Sequence, residues 1–168
     1  MNQTLVGLSL PELVSRLRDV HTMRTPMGWP TDSAVTKSSI EGAIIDLVAR
    51  RPPSEGHDDP SERIHCDHEV KVRCANRASV KSSQVDLRVG GVFVVTDAAF
   101  TVGEPVELEI ELENAYKLKS GGNVGWISHS RASTVAGIGV TFNSVIGEAS
   151  ERRLEKLLLE LLKYRVDR

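Results

Sequence analysis

The residues best equipped for chemistry are a carboxylate and a guanidinium, Asp86 and Arg88, placed either side of Leu87 in V-D-L-R-V-G-G-V-F-V-V, residues 85–95. Strand residues alternate faces, so Asp86 and Arg88 project from one side while Val85, Leu87 and Val89 share the other. Gly90 and Gly91 then allow a sharp turn, or a close approach to the backbone that a Cβ would block. The chemistry on offer is recognition. Arg88 either pairs with Asp86 or projects from the turn to meet a partner's carboxylate, and an exposed pair of this kind contributes only about 0 to 1 kcal/mol.

Other reactive groups lead less far. His57, His65, Cys66 and His68, with Cys74 beyond them, are the metal candidates. Zinc ligands come in pairs about two to four residues apart that a turn folds around one ion, whereas Cys66 and His68 sit within what reads as a strand. If that strand is continuous, Cys74 lies roughly 26 Å beyond Cys66. No metal site and no cofactor is assigned, and reduced thiols are expected. Asp58 and Asp59 pair up in a linker, where nothing would desolvate them. The sequence holds no G-x-S-x-G, Walker loop or H-E-x-x-H, so no catalytic residue and no enzyme activity are assigned.

The 168 residues are 40% apolar with a net charge of −2, enough to bury a core and add an appendage. There is no basic run of the kind nucleic-acid binders carry. No stretch approaches the ~20 apolar residues of a membrane span, and M-N-Q-T does not open a signal peptide. The expectation is a soluble cytoplasmic protein.

The elements that must position Asp86 and Arg88 follow from periodicity. Ser9 with Glu12 makes a capping box, and Leu10, Leu13, Val14, Leu17 and Val20 mark one helical face to about Met23. T-P-M-G-W-P-T-D, residues 25–32, is a turn. Met27 and Trp29 within it are either a plug into the core or an exposed anchor for another protein. Ser38 with Glu41 opens a second helix carrying Ile40, Ala43, Ile44, Leu47 and Val48 on one face. The division is a helical extension at 1–51, a Pro-rich acidic linker at 52–62, and a β-rich domain at 63–168.

Within that domain, 64–75 and 78–89 read as two strands, with Val70 and Val72 inward. Val106, Leu108, Ile110 and Leu112 alternate with Glu107, Glu109, Glu111 and Glu113, a pattern read as a solvated glutamate face. Residues 114–123 read as a loop, and 122–127 and 136–142 as further strands. The last helix puts Leu154, Leu157, Leu158, Leu161 and Leu162 on one face, while Leu159 and Val166 leave room for a partner helix or a homodimer.

Taken in order, V-D-L-R-V-G-G, the F-T-V-G-E-P turn, G-N-V-G-W-I, A-G-I-G-V-T-F and the leucine-rich helix resemble the PilZ domain, over roughly residues 59–163. The resemblance implies a mainly β fold: a six-stranded antiparallel β-barrel with a C-terminal helix, here with an N-terminal helical hairpin added. It also implies a bacterial receptor domain for cyclic di-GMP, which reads the ligand with R-x-x-x-R before the first strand and D/N-x-S-x-x-G at the second strand's turn. Guanidinium groups suit the ligand's phosphates and guanines through paired hydrogen bonds and stacking.

Carried over residue by residue, the second arginine falls on Arg63 and the first on Asp59. The second motif keeps Asp86 and Gly91 but has Arg88 in place of serine. Losing one charge-assisted pair costs on the order of 1.5 to 3 kcal/mol, so cyclic di-GMP recognition is not expected. Arg73 and Arg77 also spell R-x-x-x-R, but at the end of a strand, where the motif does not belong. The expected function is a PilZ-like adaptor acting on another protein, with bacterial surface motility or cell polarity as the process the resemblance implies. The alternatives are a cyclic di-GMP receptor with a modified pocket of Arg63, Asp86 and Arg88, and a homo-oligomeric scaffold.

Overall fold

The computed structural model describes residues 5–51, 62–112, 114–129, 135–143 and 148–166. The first helix, α1 (Leu10–Thr22), is capped as its S-x-x-E spacing predicts: the Ser9 N–H donates to Glu12 Oε2 at 2.7 Å, and the Glu12 N–H to Ser9 Oγ at 3.5 Å. The expected stripe from Leu10 to Val20 is buried.

The second helix, α2 (Thr31–Ile45), starts well before the expected Ser38, with Pro30 at its N-cap and no side-chain cap bond. Only Ile40, Ile44 and Ile45 along it are buried. Its first turns carry no buried residue to impose an apolar stripe, which is why periodicity placed the start at the point where burial begins. Past Ile45 it widens into a π-helical turn, Asp46–Arg50, where Val48 is buried.

Eight strands follow: β1 (Ile64–Cys66), β2 (Val70–Cys74), β3 (Arg77–Ser82), β4 (Val85–Arg88), β5 (Gly91–Val95), β6 (Pro105–Glu111), β7 (Lys117–Ser128) and β8 (Gly137–Phe142). They make one antiparallel sheet in the order β1-β4-β5-β8-β7-β6-β2-β3. The count exceeds the expected six because each of the two long strands is broken, at 67–69 and at Ser83-Gln84.

The breaks have a geometric purpose. A sheet that wraps a core must turn corners, and bent strands make them. The halves fall at opposite ends of the sheet, with β1 against β4 and β3 against β2. Hydrogen bonds therefore do not close the expected barrel; the chain instead passes twice from one end of the sheet to the other. The predicted loop at 114–123 is also corrected, because Lys117–Asn123 is the first half of β7, paired with Pro105–Glu111.

A single apolar cluster joins α1, α2, the sheet and the last helix, α3 (Glu148–Val166). Leu154, Leu157, Leu158, Leu161 and Leu162 are all buried, and Leu159 packs partly buried against the same core. The helical hairpin thus docks on its own sheet and on α3. Among the described residues no helix is long and apolar enough to cross a membrane.

Candidate functional site

The faces of β1, β4, β5 and β8 turned away from the main core carry the site. Ile64, Cys66, Val85, Leu87, Val92, Val94, Ile138 and Val140 point into the core cluster, so by alternation His65, Asp86, Phe93, Gly137 and Gly139 occupy the other side. Strand register sets them in a row: His65 opposite Asp86, Asp86 opposite Phe93, Phe93 opposite Gly139, and Gly139 opposite Trp126 on β7.

Both oxygens of Asp86 are engaged within the chain. His65 Nδ1 lies 2.8 Å from Oδ1, and Arg63 Nη1 lies 3.6 Å from Oδ2. His65 Nε2 also lies 3.3 Å from Asp67. Arg63 spreads its guanidinium over the Phe93 ring, 4.5 Å from the centroid. Phe93 is fully buried yet stands outside the main core cluster, and it lies over Gly137, where a Cβ would strike its ring.

Arg88 makes the matching arrangement further along. It is only 8% exposed, and its guanidinium sits 4.0 Å from the centroid of Trp126. Three strand spacings, roughly 14 Å, separate β4 from β7. Two long side chains close that distance because Gly91, paired with Arg88, and Gly139, paired with Trp126, put nothing in the way. At Gly139 a Cβ would fall on the indole, and at Gly91 it would meet the Val140 carbonyl. The Trp126 Nε1–H is buried without a hydrogen-bond partner among the described residues, an energetic cost carried on this face.

The expected site residues therefore separate. Arg63, Asp86, Arg88 and Gly91 share one face, while Asp59 lies outside the described residues. Arg88, read from sequence as either paired with Asp86 or projecting to a partner's carboxylate, is buried in a stack on Trp126. Met27 is wholly exposed, whereas Trp29 packs partly buried against the core, with the His21 ring edge-on at 5.0 Å and Lys37 over its face at 5.8 Å. The second R-x-x-x-R is structural: Arg73 Nε bonds Glu109 at 2.7 Å, and Arg77 bonds Glu104 and lies 4.2 Å from the Phe100 centroid.

The metal candidates disperse too. His57 lies outside the described residues. Cys66 is buried with its thiol 3.6 Å from the Ile64 carbonyl, and His68 Nε2 lies 3.1 Å from the Glu160 carbonyl on α3. Burial there pushes the His68 pKa down.

The glutamate face is solvated only in part: Glu107 is half-exposed and Glu111 exposed, as the alternation implied, Glu113 lies outside the described residues, and Glu109 departs from the pattern. Glu109 is 3% exposed, held by Arg73 at 2.7 Å, Lys119 at 3.3 Å and Lys117 at 3.5 Å. The Arg73 hydrogen bond, more than any other partner, holds its pKa down at about 2. A cleft of about 340 Å³ opens beside it, where Lys71, Lys81 and Lys117 face Glu69, Glu109 and Glu111. Equal numbers of each sign give that cleft no preference for an anion or a cation.

Sequence reasoning missed Phe93 and Trp126 as partners of the arginines, and Gly137 and Gly139 as the floor beneath them. The available signal was G-I-G on β8, where glycines alternating with core residues leave one strand face bare for large rings to cover.

The chain matches the PilZ domain family over residues 60–160. Among solved structures, the Bacillus subtilis inhibitor of motility (MotI/DgrA) is similar at 19% sequence identity, over 68% of this chain and 58% of that one, with a TM-score of 0.40. The chain thus spans little more than half the length of that protein. No curated protein matches it.

Proposed function

The chain belongs to the PilZ domain family, and from that premise we propose that it is a non-enzymatic regulatory adaptor that works by contact with another protein and has lost cyclic di-GMP recognition. The observation that carries this reading is the state of the face where the resemblance puts the nucleotide. Asp86 is held by Arg63 and His65, Arg63 covers Phe93, and Arg88 is buried on Trp126. A ligand entering there would have to break these contacts first, and each charge-assisted bond given up weakens the net gain.

On this reading the added residues 1–51 contribute the partner surface, with the wholly exposed Met27 as its anchor and Met23 and Val35 also exposed on the hairpin. Flexible, polarizable methionines suit an adaptable contact. The process, surface motility or cell polarity in a bacterial cytoplasm, is carried over from the family resemblance.

Affinity capture from the native host's extract tests the adaptor. Wild type should retain a protein that Met27→Asp loses, with or without added cyclic di-GMP. If the nucleotide is needed for capture or abolishes it, the receptor reading replaces this one. That second reading has its own support, since Arg63, Asp86 and Arg88 lie on one face beside two aromatic rings.

A further inference from the structure

The N-terminal helices meet the β4–β5 turn through one backbone hydrogen bond, and its origin can be traced to covalent structure. In an α-helix the Leu47 carbonyl would accept from the Arg51 N–H. In the π-helical turn the Arg51 N–H instead donates to the Asp46 carbonyl at 3.1 Å. The next donor along the chain would be residue 52, which is proline and has no N–H. The Leu47 carbonyl is left over, and the Gly90 N–H donates to it at 2.9 Å.

A second attachment lies beside the first. Arg50 bonds Asp46 within the π turn and Glu151 on α3. The π turn also packs against β4, β5 and β8. It therefore touches the turn that follows Arg88, the strands under Phe93, and the closing helix.

We propose that this π turn is a latch that couples the helical hairpin to the β4–β5 turn, so that the two open together while the sheet core stays folded. The coupling comes from a single donor with two possible acceptors. Closed, Arg51 donates to Asp46 and Gly90 to Leu47. Open, Arg51 donates to Leu47 in α register and Gly90 turns to water. The register shift by itself changes the backbone count by one hydrogen bond, a factor on the order of tenfold, and the Arg50–Glu151 contact and the buried Val48 add to what a partner or ligand must overcome. π-helical turns occur frequently at functional sites. Coupling runs both ways by linkage, so anything that moves the Gly90-Gly91 turn loosens the hairpin, and anything that pulls on the hairpin frees the turn. The latch rests on backbone geometry, and it stands whichever occupant the outer face takes.

Amide hydrogen exchange on the full chain tests it, comparing wild type with Arg50→Ala and Gly90→Ala. The Arg50 side chain is 52% exposed, so its removal spares the core. Gly90 has φ +84, a left-handed conformation that strains any residue carrying a Cβ and so displaces the turn. Arg50→Ala should speed exchange at Gly90 by on the order of tenfold; in Gly90→Ala the Arg51 N–H should trade its Asp46 acceptor for Leu47, read by NMR as a scalar coupling across the hydrogen bond to the Leu47 carbonyl carbon in place of that of Asp46. Val94, in the middle of the sheet, reports global opening and should be unchanged in Arg50→Ala. If Gly90 exchange rises only in step with Val94, or Arg51 keeps its Asp46 acceptor in Gly90→Ala, the latch is overturned.

Discussion

The Arg88 guanidinium lies 4.0 Å from the centroid of the Trp126 ring, reached from β4 across the glycine at 91 and over the glycine at 139. A desolvated cation–aromatic pair of this kind is worth about 2 kcal/mol. Arg88→Ala is therefore expected to lower the melting temperature by several degrees, since each kcal/mol shifts a domain of this size by about 2 to 4 °C. The exposed Arg88 read from sequence would have left it unchanged. A thermal melt of the variant separates the two, and an unaltered transition would mean the stack contributes nothing.

Gly139→Ala tests the floor beneath that stack. Its Cβ would land on the Trp126 ring atoms, so the indole must leave its place over β8. The expected result is red-shifted tryptophan emission and a lower melting temperature. Trp29 is the other tryptophan, and a Trp29→Phe background isolates the signal. Unchanged emission would show that the ring is not held where the structure puts it.

Glu109 should leave its mark on acid stability. Its folded pKa is about 2 against an ordinary 4.5, so the unfolded chain binds this proton more readily than the folded one. The stability it contributes is fully present above about pH 4.5, is lost as the pH falls from there towards 2, and is gone below that. Glu109→Gln should therefore be less stable than wild type near neutrality, and the gap should narrow on acidification across that window. Denaturant midpoints measured from pH 7 to pH 2.5 check it; a gap that stays constant would mean the network of Arg73, Lys117 and Lys119 does not tune this carboxylate.

Leu158 has no exposed surface in the core under α3. Leu158→Asp buries a charge without a partner, and a loss above about 4 kcal/mol is expected. Calorimetry should show a collapse of the unfolding transition. A variant that keeps its melting temperature and changes only its mass in solution would make this helix a seam between copies, and the scaffold reading would gain.

What the sequence disclosed and what it hid divide along one line. Local chemistry was legible: the Ser9–Glu12 capping box, the inward Val70 and Val72, and the leucine face of α3 all follow from spacing alone. Features set by distant partners were not. Glu109 looks solvated in a strand that alternates perfectly, until Arg73 from β2 and Lys117 and Lys119 from β7 close over it. K-L-K-S-G-G-N looks like a loop until β6 supplies the hydrogen bonds that make it half of β7. The first turns of α2 carry no buried residue to impose a stripe. At the site the motif residues Arg63, Asp86 and Gly91 could be placed, yet the burial of Arg88 depends on Trp126, three strands away.

The central claim is that the chain's own contacts hold the outer face against cyclic di-GMP, and calorimetric titration of the wild-type chain with that nucleotide tests it most directly. The account predicts no saturable heat at micromolar ligand. A dissociation constant below about 10 μM, roughly −7 kcal/mol, would contradict it, because binding that strong would have to displace Arg63 from Asp86 and Arg88 from Trp126 and still leave a large surplus.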